Sequence, residues 1–300
     1  MKPIQRTIGL EGRYTLNVIR PDGTVRKSLS FKNLILNAGL NRIGTGGIVS
    51  YAQVGSGSTA PVNTDTALQT FVASSSNQRD EERGYQSSTP YFGWTRRTFR
   101  FAEGDAAGNL SEVGVGWDGS GSLFSRALIV DSLGAPTTIT VLSDEILDVT
   151  YELRLYPPLT DVEFTIDISG VSYDCVMRAS LVNSAAWQPQ YIFSMGATYS
   201  FTLFCWTGDI GTMFEQPSDV NFGYIGGTFD SYANNSLKRR FNVMWDLDHG
   251  NHVDKIKSMS LLQEYAALGQ WQVSFDPVIP KDNTKKLSLP FEIAWARKVI

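Results

Sequence analysis

From Leu147 to Leu155 every odd position is apolar and every even position is polar. That period-two pattern puts one face of a strand in a core and the other in water, and Pro157-Pro158 then stops it. Phe164, Ile166 and Ile168 alternate in the same way with Glu163, Thr165 and Asp167, as do Phe291, Ile293 and Trp295 with Glu292 and Ala294. Tyr199 to Trp206 is apolar almost throughout, which predicts a strand buried on both faces.

The turn residues agree with a strand-rich chain. Pro21-Asp22-Gly23 separates Tyr14–Arg20 from Thr24–Phe31 and predicts a hairpin. Trp117-Asp118-Gly119-Ser120-Gly121 does the same between the strand around Val113 and Val115 and the run Leu123–Val130. Helical signals are few. Asn37 is placed to cap a short helix through Leu40 and Ile43 that ends at Gly44, and Thr64 or Asp65 to open a single turn at Ala67-Leu68. Ser260 to Leu268 is the best helical run: Ser260 with Gln263 forms a capping box, and Gly269 suits the position after the helix.

Two breaks organise the chain. Residues 74–90 are rich in Ser, Gln, Arg and Glu and nearly devoid of apolar side chains, which predicts an exposed loop, part of an insertion near 74–96. Pro157-Pro158 is the expected domain boundary. The fold class is therefore all-β, two β-sandwich-like domains with few short helices: residues 1–157 with the inserted loop, and a second β-rich domain over residues 158–300. The N-terminal hairpin and the run Phe291–Ile300 are apolar and are expected to be covered by another subunit.

Composition narrows the function. No apolar run approaches the length of a membrane span, and Met1-Lys2-Pro3-Ile4-Gln5-Arg6 lacks the apolar stretch of a secretory signal. A net charge of −4 argues against a dedicated nucleic-acid binder. With only Cys175 and Cys205 a disulfide scaffold is not expected, and synthesis in a reducing cytoplasm is.

The candidate chemistry is thin. Gly114-Val115-Gly116-Trp117-Asp118-Gly119 spells the dinucleotide-binding pattern, but a second strand follows where a helix N-terminus is needed. The two histidines lie in Asp246-Leu247-Asp248-His249-Gly250-Asn251-His252. Asp246, Asp248, His249 and His252 are the metal candidates, at spacings that fit neither a calcium loop nor a paired-histidine helix. No Gly-x-Ser-x-Gly elbow accompanies them. A glycosidase-type carboxylate pair remains open, since sequence does not measure separation. Lys238-Arg239-Arg240 and the Lys281–Lys286 segment read as solvated turns or contacts with an acidic partner. Trp187, Trp206, Trp245, Trp271 and Trp295 read as core or interface, with a sugar-binding face as the alternative. Glu112 and Arg126 are expected to pair across a hairpin, partly exposed.

One stretch resembles a known group. Phe31–Leu40, Ala52–Pro61, Asp65–Leu68, Arg97–Phe101, Leu110–Val115, Leu123–Ala127 and Leu147–Leu155 follow one another in an order similar to that of tailed-bacteriophage virion proteins of the tail, fibre or collar. Residues 74–96 depart from it, and residues 158–300 lie outside it. The resemblance implies a non-enzymatic assembly protein of the virion tail or neck, made in the bacterial cytoplasm, forming a homo-oligomer and contacting other virion proteins. The alternatives are a carbohydrate-binding module that recognises a host surface glycan, and a capsid-decorating protein. No catalytic residue, cofactor, nucleic acid or membrane insertion is expected.

Overall fold

The computed structural model describes residues 3–46, 49–189, 200–262 and 269–298. The first half carries β1 (Ile4–Ile19), β2 (Val25–Lys32), β3 (Leu34–Ile35), α1 (Asn37–Gly44), β4 (Tyr51–Gly55), β5 (Phe71–Ser75), β6 (Gln78–Gln86), β7 (Phe92–Phe101), β8 (Gly108–Leu110), β9 (Glu112–Gly116), β10 (Leu123–Leu128), β11 (Ile139–Val141) and β12 (Ile146–Tyr156). The second half carries β13 (Val162–Ile168), β14 (Val171–Ala179), β15 (Ser200–Trp206), β16 (Asn221–Thr228), β17 (Lys238–Trp245), β18 (Ile256–Leu262), β19 (Trp271–Ile279) and β20 (Leu287–Arg297). The all-β expectation holds.

A long sheet runs β17-β20-β1-β12-β7-β6, with β2 also on β1. A five-stranded sheet, β3-β10-β9-β4-β5, packs on its β1–β12 region. There the Tyr14 hydroxyl meets Ser125 Oγ at 2.6 Å, and Phe124 lies edge-on to Tyr151. A six-stranded sheet, β13-β14-β19-β18-β15-β16, packs near the β17–β20 end. Phe201 of β15 lies 4.2 Å from Phe241 of β17, which stacks on Phe291 of β20.

The boundary at Pro157-Pro158 needs correcting. It separates the two smaller sheets, but the long sheet takes strands from both sides of it. β1 is the reason. Its first turns of pleat, Ile4–Leu10, pair in parallel with β20, and Gly9–Ile19 pair with β12. Its even positions are buried from end to end. Arg6, on that face, reaches the carbonyls of Thr160 and Met177 and lies over the Trp271 ring. A large apolar core spans both halves, with Leu36, Leu68 and Leu123 forming a small separate cluster among the described residues. Phe291–Arg297, expected to be covered by another subunit, pairs within the chain between β17 and β1.

Both predicted hairpins form. At Asp22-Gly23 the Asp22 carboxylate accepts the Thr24 N–H at 2.8 Å, and Gly23 takes φ +84°, a value that favours glycine. Other local readings fail for identifiable reasons. Residues 74–90 are not a loop but hold β6, hydrogen-bonded to β7 along its length. Asn37 begins α1 without capping it; its side chain accepts instead from Arg297. Thr64–Leu68 forms no helix. Ser260, Leu261 and Leu262 belong to β18, held between β15 and β19, so cross-strand pairing overrides the capping box. Residues 263–268 lie outside the described residues. β15 is buried on one face only: Phe201, Leu203 and Cys205 point inward, while Phe204 and Trp206 are half-exposed.

Candidate interaction surface

Two features of the long sheet face outward. The first is the flank where the first sandwich ends. β5 is the edge of the five-stranded sheet and β6 the edge of the long one, and only Ser76 and Asn77 join them. Both edges therefore lie on one side. Among the described residues the backbone bonds of β6 go to β7, apart from Gln78 N–H to Ser76 O. The flank carries exposed Phe71, Val72 and Tyr85 (44, 39 and 47% accessible) among Arg79, Asp80, Glu81, Glu82 and Arg83.

The second is a trough across the outer face of the same sheet. Ser30, Thr15, Thr150, Thr98 and Asp80 stand directly opposite one another on β2, β1, β12, β7 and β6. These short side chains form a floor. One wall is the next register row, Arg13, Glu152, Arg96 and Glu82; on the other side Asn17 lines the depression, and Asp148 and Arg100 of its row lie behind it. The depression encloses about 360 Å³. Ion pairs stiffen its walls: Arg96 lies 3.0 Å from Glu152 and 3.4 Å from Glu82, and Arg100 grips Asp148 with two bonds of 2.7 Å. Thr98 and Thr150 share a hydrogen bond of 2.7 Å. Beyond the wall, Trp94 packs over Gly84 and under the Arg96 guanidinium.

Behind the flank, Glu112 and Arg126 do pair, but not partly exposed as expected: both are buried. Arg126 Nε and Nη2 bond Glu112 Oε2 at 2.9 and 2.8 Å, and Nη1 bonds Asp65. Glu112 also accepts the backbone N–H groups of Gly57, Gln69 and Thr70. Burial pushes its pKa up, but these donors and Arg126 outweigh that and hold it below the usual carboxylate range. The network ties residues 57–70 to the hairpin β9–β10.

The other sequence candidates disperse. Asp246 pairs with Lys286 at 2.9 Å; His252 accepts the Asp254 N–H and lies against Phe222. Among the described residues no three His, Cys, Asp or Glu side chains come close enough to hold a metal ion, so Asp246, Asp248, His249 and His252 form no such cluster. Gly114 and Gly116 of the dinucleotide-like pattern let β9 approach β10: a Cβ on Gly116 would stand 2.2 Å from Ser122 O. Lys281 is not solvated. It is buried, its pKa lowered by desolvation, with Nζ on Asn251 Oδ1 and the Asp282 carbonyl. Thr284 holds the adjacent Asp282 carboxyl down to about 2. Of the five second-half tryptophans, Trp187, Trp245, Trp271 and Trp295 are fully buried, which removes them from any sugar-binding face. Desolvation pushes both thiols up to about 12.

Among the described residues no helix is long and apolar enough to cross a membrane. No protein-family model, curated protein or solved structure matches the chain. Sequence reasoning missed the trough, although its β12 residues, Asp148, Thr150, Glu152 and Arg154, are the polar half of the clearest alternating run. The signal was there, but the neighbours that complete each row are set by register.

Proposed function

We propose that the chain is a non-enzymatic assembly protein of a tailed-phage particle, in its tail, neck or fibre base, acting as a homo-oligomer that contacts other virion proteins. The observation that carries the reading is the flank where β5 and β6 end two sheets side by side. Edge strands are templates for another chain, and monomers ordinarily keep them short or cover them. β6 has nine residues and carries exposed Tyr85. Its charges also suit self-pairing. An antiparallel pairing of two β6 strands centred on Glu82 sets each Glu81 opposite the other copy's Arg83, two opposite-charge pairs against one like-charge contact. Such a contact is isologous and gives a twofold dimer.

The test is light scattering on the purified chain, together with antibody labelling of particles. An oligomer that Tyr85→Lys dissociates, and label confined to the tail or neck, is the expected result. A monomer at all concentrations, or no label on particles, rejects the reading. A second reading, a module that recognises carbohydrate, is favoured by the hydroxyl-floored trough.

A further inference from the structure

We infer that the trough on the outer face of the long sheet binds a neutral oligosaccharide lying across the strands; the inference rests on the carbohydrate reading and names its site and ligand class. Five strands in register make the floor roughly 19 Å long, at about 4.8 Å between strands, so an extended chain of several sugar rings fits along it. Three arginines, Arg13, Arg96 and Arg154, stand against three carboxylates, Asp80, Glu82 and Glu152. The site as a whole therefore selects neither cations nor anions.

What it offers is a dense alternation of donors and acceptors. Guanidinium and carboxylate groups alternate along one wall, hydroxyls line the floor, and Asn17 adds an amide. A ligand that satisfies both kinds at each step must itself carry groups that both donate and accept, which hydroxyls do. Arg13 and Asp80, at the two ends, have no hydrogen-bond or ion-pair partner among the described residues, unlike Arg96 and Glu152 between them. The middle is thus pre-set by internal pairs, and the ends keep bonding capacity for a ligand. Placement on strands and not on loops keeps the geometry fixed before binding.

The experiment is calorimetry and saturation-transfer NMR on the whole chain with maltohexaose, cellohexaose, chitohexaose and laminarihexaose. At least one should bind saturably. Thr150→Lys, which fills the floor, should abolish binding with the thermal melt unchanged, and the exposed Asp80→Ala should weaken it by about tenfold, supplying a test should Thr150→Lys fail to fold. Binding that neither variant alters overturns the trough while leaving the carbohydrate reading standing. Binding to none of the four overturns the proposal, as does tighter binding to heparin than to any of them.

Discussion

At the scale of single residues, the charged groups that matter most are out of sight of solvent. Removing one member of a buried ion pair strands the other. Glu112→Gln should therefore lower the unfolding free energy by about 3–5 kcal/mol, measured by urea denaturation, because Arg126 and three backbone N–H groups lose their acceptor charge. The pH dependence follows from the lowered pKa of Glu112. Its contribution is present above the unfolded-state value of about 4.3 and is lost as pH falls through the lower folded value. Wild type should thus lose stability more steeply than the Gln variant as pH falls through that window. The two cysteines permit a simpler measurement. Thiolate is the reactive form, and desolvation keeps both protonated. Ellman's reagent should label neither Cys175 nor Cys205 in the native protein and both in denaturant; rapid native labelling of either contradicts their burial.

Elements meet more closely than any sequence pattern announces. Gly93 of β7 abuts the 3-10 turn Ala185–Trp187, and an added Cβ would stand 2.0 Å from the Trp187 carbonyl oxygen. Backbone cannot yield as a flexible side chain does. Gly93→Ala should cost about 1–3 kcal/mol, read as a lower melting temperature, whereas Gly134→Ala, with open space around it but positive φ, tests the smaller conformational cost alone. Much of the element inventory was legible in the chain: β12 from its alternation, β1–β2 and β9–β10 from their turns, α1 from Leu40, Ile43 and Gly44. What was hidden was decided by partners. β6 looked like a loop because a charged edge strand buries almost nothing and has no apolar face to announce it. Ser260–Leu262, the end of β18, looked like the start of a helix because the helical cues are local and the two strand neighbours are not. The trough followed the same logic: Thr15, Thr98 and Thr150 are ordinary surface positions until register aligns them.

For the whole molecule, the shared sheet makes the two halves interdependent. Residues 1–157 expressed alone lack β20 and leave Ile4, Ile8 and Leu10 uncovered; residues 158–300 leave β20 without β1. Neither fragment should give the dispersed, protected amide spectrum of the full chain, and a well-folded 1–157 fragment by NMR contradicts the shared core. Mixing the two fragments should restore part of that spectrum. The parallel pairing of β1 with β20 also bears on how the protein is made. A ribosome releases Ile4–Leu10 long before Phe291–Arg297, the strand that lies beside it. Ile4, Arg6 and Ile8 must wait, exposed to chaperones and to other nascent chains, until Phe291–Arg297 emerges. Contacts so distant along the sequence slow folding, so refolding of this protein should be completed late, by docking of its last strand.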